Sequence, residues 1–195
     1  MSPAPIQIVL FGGQGVGKGT QAKRLAESYG VDLIGAGDLL RQMAQQDTPS
    51  GRKIAPIIAA GKLVPDEMVT DLIALQLESI PTDQGFVLEG YPRTMDQSGQ
   101  FKKVLERLRR TGTPTVFVKL EVPREIQQQR LLDRGRHDDT AAVIERRLRI
   151  YDEQTTPILT EVEPWAPVIH IDGNHPIPEV TELITNRLSD VQAKA

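Results

Sequence analysis

The sequence predicts an α/β fold with a five-stranded parallel sheet that is covered by helices on both faces. Short apolar runs with strand character alternate along the chain with longer segments of helical periodicity. Parallel strands need such crossover helices, and a parallel sheet is buried on both of its faces. The first apolar run also ends in a glycine-rich loop that leads directly into a helix.

The individual elements follow from apolar runs and from the residues that start and stop them. The strands are expected at 6–11, 31–34, 85–89, 114–121 and 168–172. The helices are expected at 18–29, 39–46, 54–60, 65–79, 95–111, 123–134 and 140–156, with a last one after the Gly173-Asn174 turn. Asp38 is expected to cap the second helix, and residues 48–51 are expected to form a loop.

Composition narrows the function classes. The 195 residues are 39% apolar and 25% charged, which suits one globular domain with small insertions. A net charge of -3 argues against a general nucleic-acid binder, and the absence of cysteine excludes disulfides and cysteine-based zinc sites. The apolar run near the N-terminus is too short for a signal or a membrane span. These properties are compatible with a cytoplasmic protein, and we expect no nucleic-acid or membrane partner. We also expect a monomer, although composition does not determine the oligomeric state.

The glycine-rich loop, residues 12–20, reads Gly-Gly-Gln-Gly-Val-Gly-Lys-Gly-Thr. Glycines allow backbone N–H groups to surround an anion, and the following helix N-terminus adds partial positive charge. In this context the pattern predicts a P-loop NTPase fold. The dinucleotide-binding pattern fails because position 20 is Thr. Phosphates are expected at Gly15, Val16, Gly17, Lys18, Gly19 and Thr20.

One position of the loop departs from the general pattern. A phosphate loop usually has Ser or Thr directly after the lysine, where the hydroxyl binds Mg²⁺. Gly19 occupies that position here, and Thr20 follows it. We therefore expect Mg²⁺ to depend on phosphates, water and carboxylates from elsewhere.

Arginines follow several predicted strands and helices. Arg41 and Arg93 lie beyond strand ends, and a guanidinium binds phosphate bidentately. Arg130 and Arg134 are four residues apart and share a helix face, with Arg147 on the next helix. Either these are solvated surface side chains, or they converge on several phosphates that neutralise them. We favour convergence.

Four segments resemble the adenylate kinase family: the loop GxxGxGKGTQ at 12–21, GDLLR at 37–41, GKLVPD at 61–66 and LEGYPRT at 88–94, with Gln97 after it. The resemblance covers nearly the whole chain. It implies the reaction ATP + AMP = 2 ADP, with an AMP-binding insertion at 35–64 and a very short lid at 135–139. The core would then comprise 1–34, 65–134 and 140–195.

The resemblance also implies roles for particular residues. The residues that it implies to be catalytic are Lys18, Arg93, Arg134, Arg136 and Arg147. The residues expected to bind ATP are those of the loop, 15–20, together with Arg130, Arg134 and His175. Glu89 is expected to reach Mg²⁺ through water. AMP binding is expected at Ala36, Arg41, Lys62, Leu63, Val64, Gly90, Tyr91, Pro92, Arg93, Gln97, Arg136 and Arg147.

The chain departs from the family pattern at Gln14 in place of Pro, Glu89 in place of Asp, Ala36 in place of Thr, and in its short lid. The alanine at position 36 is similar to the pattern of the uridylate/cytidylate kinases, whereas Thr94 and Gln97 match the pattern of the adenylate kinases. The alternative is therefore a UMP/CMP kinase or a kinase of relaxed specificity.

Two other classes compete with a nucleoside-monophosphate kinase. A nucleotide-binding switch is suggested by the D-x-x-G at 32–35, but no N-K-x-D segment follows. A switch also has no use for a second phosphate-binding pocket. A kinase of another metabolite would lack the P-R-T-x-x-Q segment.

Overall fold

A computed structural model describes residues 5–135 and 140–193, and these contain one parallel sheet. Its strands are β1 Gln7–Phe11, β2 Asp32–Gly35, β3 Phe86–Glu89, β4 Thr115–Glu121 and β5 Val168–Asp172. The order across the sheet is β2-β3-β1-β4-β5, so β1 lies at the centre. The predicted α/β class and the five parallel strands are confirmed, and each strand lies within one residue of its expected bounds.

Helices cover both faces of this sheet. They are α1 Lys18–Tyr29, α2 Ala36–Ala44, α3 Pro49–Ala59, α4 Asp66–Glu78, α5 Met95–Arg107, α6 Arg124–Arg134, α7 Ala141–Ile150, α8 Ile158–Val162 and α9 Ile177–Gln192. A π-helical turn, Tyr151–Thr155, joins α7 to α8. In the described residues no helix is both long and apolar enough to cross a membrane.

The start of α2 differs from expectation. The helix begins at Ala36, directly after β2, and Gly35 is its N-cap. Asp38 therefore lies in the first turn and is not the cap, so that prediction is wrong. Its carboxylate accepts a hydrogen bond from Arg41 one turn later. An acidic side chain is favourable in a first turn because the helix dipole is positive there.

The start of α3 also differs. Residues 48–51 were expected to be a loop, but α3 begins at Pro49. Thr48 is its N-cap, and the Thr48 hydroxyl accepts a hydrogen bond from the Gly51 amide at 3.0 Å. Proline suits a first helical position because its missing N–H would have no partner there. The Thr-Pro pair is thus the start of a helix and not a turn.

The core is divided by the sheet into two layers. Along β1, Val9 and Phe11 face one layer while Ile8 and Leu10 face the other, as the alternation of side chains along a strand requires. The first layer is closed by α3, α4, α5 and α8, and the second by α1 and α9. This two-sided burial fixes the carboxyl ends of β1 and β3, from which the phosphate loop and the Glu89–Arg93 turn emerge.

Candidate active site

A cleft of about 810 Å³ opens at the carboxyl end of the sheet. It lies between the phosphate loop, α2, the segment that follows α3, and helices α6 and α7. Ligands of open α/β sheets bind at this edge. The expected residues that line it are Gly15, Gly17, Lys18, Gly19, Thr20, Arg41, Lys62, Leu63, Val64, Glu89, Gly90, Arg93, Gln97, Arg130, Arg134 and Arg147.

The phosphate loop is shaped by its glycines and by the helix beneath it. Gly17 has a φ of 98° and is the N-cap of α1, so the loop turns directly into the helix N-terminus. Gly15 has a φ of 85°, and a Cβ there would lie 2.5 Å from the backbone oxygen of Gln127 on α6. Only glycine satisfies both the left-handed conformation and the close approach. The loop therefore packs on α6 through its backbone.

Lys18 folds back over the loop that precedes it. Its Nζ donates hydrogen bonds to the carbonyl oxygens of Gly12 at 2.7 Å and Gly13 at 2.8 Å, and it lies 4.0 Å from Glu89 Oε1. Burial lowers the pKa of Lys18 to about 8; the Glu89 carboxylate opposes this shift, and the Arg93 and Arg134 guanidinium groups reinforce it. A cation is thus held at the mouth of the phosphate loop.

Arg93 is fixed by the turn that carries it. Its Nε donates to the Gly90 carbonyl at 2.7 Å, and its own carbonyl accepts from the Thr155 hydroxyl at 2.9 Å. Burial lowers the pKa of Arg93; Glu89 opposes this, while the charges of Arg147 and Arg41 add to it. Arg41 on α2, Arg93 after β3 and Arg147 on α7 all line the cleft, so cations from three separate elements face the same space.

The remaining arginines come from α6 and α7. Arg147 Nη2 donates to the carbonyl of Ile58 at 3.4 Å, across the cleft. Arg130 Nη1 lies 3.5 Å from the carbonyl of Gly173, at the end of β5. Arg134 lines the cleft and lowers the pKa of Lys18. The structure therefore brings five of the expected arginines to one cleft: Arg41, Arg93, Arg130, Arg134 and Arg147. That they bind phosphate stays a prediction.

Gln97 lies at the back of the cleft and is 2% exposed. Its Oε1 accepts from the Arg93 backbone N–H at 2.7 Å, and its Nε2 donates to Asp66 Oδ1 at 2.8 Å. The other carboxylate oxygen of Asp66 accepts from the Thr94 hydroxyl at 2.6 Å. Gln97 thus joins the Arg93 turn to the start of α4. That it reads a base stays a prediction.

Several expected residues do not line the main cleft. The side chains of Val16 and Ala36 are 3% and 1% exposed and pack in the core. Tyr91 packs edge-on against Phe101, and its hydroxyl is bonded to Thr70 and to the Gln97 carbonyl. Pro92 borders a neighbouring cavity of about 30 Å³. His175 lies between two carboxylates, Asp172 at 3.4 Å and Glu179 at 3.0 Å.

One expected catalytic residue, Arg136, falls outside the described residues, together with positions 137–139 of the expected lid. Gly135 is described; it ends α6 in a left-handed conformation, with a φ of 62°. The expected contact of Arg136 with phosphate stays a prediction.

The sequence reasoning missed two features of the cleft. Leu40, Ile58 and Val69 are among the residues that line it, and they add apolar surface suited to a planar ring. Their helical spacing made them indistinguishable from core residues. Asp66 was read only as a helix start, although it holds both Thr94 and Gln97. The Pro-Asp pair at 65–66 carries no sequence signal for that second role.

In the described part of the chain, no group of three or more His, Cys, Asp or Glu side chains could hold a metal ion. Glu89 offers a carboxylate on the cleft wall, with its side chain 20% exposed. A single carboxylate at this place suits Mg²⁺ that is carried mainly by phosphates and water; the other acidic residue of the cleft lining, Asp38, is paired with Arg41.

The fold and the loop define the chain as a P-loop NTPase-fold protein of the α/β class. The adenylate kinase family model matches residues 10–164, and the chain belongs to that family. It is 34% identical over 189 residues to an adenylate kinase of Trichodesmium erythraeum, covering 95% of this chain and 99% of the relative. It is 39% identical to one of Nocardia farcinica (91% and 96% covered) and 37% to adenylate kinase 1 of a Nostoc species (90% and 94%).

Proposed function

We propose that this protein is an adenylate kinase that catalyses ATP + AMP = 2 ADP with Mg²⁺. One observation carries the proposal: a single cleft has the phosphate loop with Lys18 on one side and Arg41, Arg93 and Gln97 on the other. Two phosphate-binding regions that share a cleft suit the transfer of a phosphoryl group between two nucleotides. The family membership supports the same reaction.

The chain's residues divide between the two nucleotides. The loop amides and Arg130 bind ATP, and Arg41 and Arg93 bind the AMP phosphate. Lys18, Arg134 and Arg147, with Arg136, surround the phosphoryl group in transfer. The AMP phosphate oxygen that attacks is already anionic, so the site needs position and charge stabilisation but no general base. Each well-placed donor of this kind contributes about 3 kcal/mol to lowering a barrier.

Mg²⁺ would be held by the ATP phosphates and, through water, by Glu89. When bound it neutralises charge on the phosphates. Glu89 meets this need because its carboxylate lies on the cleft wall beside Lys18. Gly19 supplies no hydroxyl, which agrees with a metal carried mainly by the nucleotide.

We propose the same division of the chain that the sequence suggested: a core, an AMP-binding insertion at 35–64 that comprises α2 and α3, and a minimal lid at 135–139. ATP, AMP and ADP are the proposed partners. A cytoplasmic monomer is the proposed state, and size-exclusion chromatography with light scattering tests its assembly.

AMP is the proposed acceptor, and UMP or CMP is the alternative. Ala36, which raised the alternative, is buried with 1% of its surface exposed and is not on the cleft wall. Gln97, which matches the adenylate form, is on that wall. Recognition of the base is therefore better assigned to Gln97 and to the apolar residues Leu40, Ile58 and Val69, which line the same cleft.

A coupled assay of ADP formation from ATP tests the function with AMP, UMP, CMP and GMP side by side. AMP should exceed the other acceptors in kcat/KM by about tenfold or more. A higher value for UMP would make the adenylate assignment wrong but leave the kinase class. Transfer to none of the four would contradict the class itself.

A further inference from the structure

Asp66 is the first residue of α4 and holds two side chains of the Arg93 turn at once. Its Oδ1 accepts from Gln97 Nε2 at 2.8 Å and its Oδ2 from the Thr94 hydroxyl at 2.6 Å. The Thr94 hydroxyl in turn accepts from the Gln97 backbone amide at 3.2 Å. A carboxylate only accepts hydrogen bonds, so each of its oxygens requires a donor opposite it.

These contacts determine which way the Gln97 amide faces. The backbone N–H of Arg93 is a donor, so the Gln97 atom 2.7 Å from it must be the oxygen. The nitrogen then faces Asp66, where only a donor is favourable. A flipped amide would place N–H against N–H on one side and oxygen against carboxylate on the other. Both contacts oppose the flip.

A fixed amide presents a fixed pattern to the cleft. One Nε2 hydrogen and one Oε1 lone pair remain after these two bonds are made. An adenine edge offers the 6-amino group as donor and N1 as acceptor. The 6-oxo purine of IMP has nearly the same shape but reverses both groups. An amide free to flip could pair with either edge, whereas a locked amide pairs with one.

We propose that Asp66 is a positioning residue that locks the Gln97 amide and thereby selects a 6-amino over a 6-oxo purine nucleotide as acceptor. The inference rests on the proposed function of the cleft, and it adds to it the group that sets the polarity of base recognition. Asp66 is not on the cleft wall and acts through Gln97, which is.

A purely structural role for Asp66 makes a different prediction. The carboxylate also joins the start of α4 to the Arg93 turn, and its loss could simply displace Arg93. Arg93 is proposed to bind the phosphate, which AMP and IMP share. A displaced Arg93 would therefore weaken both acceptors equally and leave their ratio unchanged.

The unmodified protein provides the first arm of the test, with AMP and IMP as acceptors and ATP as donor. We expect kcat/KM for AMP to exceed that for IMP by about a hundredfold. Values for AMP and IMP within about threefold would overturn the lock, since a polarity-selective amide must separate them. No turnover with any nucleotide would instead refute the proposed function, so the two failures are distinguishable.

Asp66→Asn is the second arm, because it keeps the size of the side chain and gives it an amide that can face Gln97 with either group. We expect the AMP:IMP ratio of kcat/KM to fall by about tenfold, chiefly through a higher KM for AMP, with KM for ATP within about twofold. Arg93 N–H still opposes the flip, so the ratio should fall without inverting.

Glu67→Gln is the matched control, since it removes a charge from the exposed neighbouring position in the same first turn. It should leave the ratio unchanged. An equal loss of AMP and IMP activity in Asp66→Asn would overturn the proposal. If that variant does not fold by circular dichroism, Thr94→Val removes the donor on the other carboxylate oxygen. We expect the AMP:IMP ratio of kcat/KM to fall in a folded Thr94→Val as well, and an unchanged ratio would refute the proposal.

Discussion

Lys18 combines deep burial with a position among other cations. Its side chain is 11% exposed, and its ammonium group is held by two carbonyl oxygens of the loop and by nearby Glu89. The carbonyls keep the group at the mouth of the loop, and burial lowers its pKa because desolvation disfavours the charged form. The residue is therefore poised for an anion.

Lys18→Met tests the proposed role of this charge, because methionine is of similar length but uncharged. We expect kcat to fall by about a hundredfold or more, since charge stabilisation of about 3–5 kcal/mol is removed from the transition state. The melting temperature should stay near that of the parent. The exposed Lys103→Met is the control. A folded Lys18→Met variant with near-normal turnover would reject the assignment.

The pKa of Lys18 also predicts proton uptake on binding. The amine is charged well below pH 8 and loses its proton as the pH rises through about 8. Bound phosphates add negative charge beside it and raise its pKa, so ATP·Mg²⁺ should bind with uptake of a fraction of a proton near that pH. Calorimetry in buffers of different ionisation enthalpy measures the uptake. It should vanish at about pH 6.5, where the amine is already charged, and in Lys18→Met at any pH.

Helix α3 shows how one cap stabilises a functional element. The Thr48 hydroxyl accepts from the Gly51 amide, and Gly51 is so enclosed that a Cβ would lie 2.2 Å from the Gln46 carbonyl. The segment that follows α3 along the chain carries Lys62 and Leu63, and both residues line the cleft. The cap therefore supports the proposed AMP side of the cleft from outside it.

Thr48→Ala should destabilise α3 by about 1 kcal/mol through loss of this cap. We expect faster hydrogen exchange at 49–59 and a higher KM for AMP, with little change in KM for ATP. Thr111→Ala, at an exposed turn far from the insertion, is the control. An equal rise in KM for AMP and for ATP, or unchanged hydrogen exchange in 49–59, would show that the cap does not support the AMP side selectively.

Helix α7 meets the insertion across the cleft. Arg146 Nη1 donates to the Ala60 carbonyl at 2.7 Å, next to the 3.4 Å bond from Arg147 to Ile58. A Cβ at Gly61, where φ is 67°, would lie 2.8 Å from Val143 on α7. These contacts join α7 to the segment that follows α3, and the close approach at residue 61 requires a glycine.

Charge is distributed unevenly over the whole molecule. The net charge is -3, yet the cleft is lined by Lys18, Arg41, Arg93, Arg134 and Arg147. Like charges on the insertion, the core and α7 repel one another, and a ligand with several phosphates would offset that repulsion. The parts of the molecule should therefore be drawn together most strongly by a ligand that spans both sides of the cleft.

Hydrogen exchange with and without diadenosine pentaphosphate, a bisubstrate of the proposed reaction, tests this. We expect strong new protection in 35–64 and a smaller change near 135–139, because the insertion contributes most of the moving surface. Raising the ionic strength should weaken the binding. Unchanged exchange in 35–64 at saturating ligand would show that this segment does not close.

Local patterns in the sequence were enough to predict the class of fold and the anion-binding loop. The strands are short apolar runs between turn residues, so their bounds were predicted to within one residue. The loop is contiguous, with glycines required by the backbone and a lysine beside a helix start. The predicted starts of α2 and α3 were wrong. Asp38 suits both an N-cap and a first turn, and Thr48-Pro49 suits both a turn and a helix start, so the packing of the fold determined which of them formed.

Only the tertiary structure decided how distant residues meet. Arg93 and Gln97 lie close in sequence, but Asp66 is nearly thirty positions earlier and reaches them only because α4 packs beside the turn that follows β3. In the same way, Ala36 and Tyr91 were both expected to bind AMP, yet their side chains are enclosed by the core, which no local pattern reveals. The sequence determined which chemical groups are available, and the packing of the sheet's two layers determined which of them share the cleft.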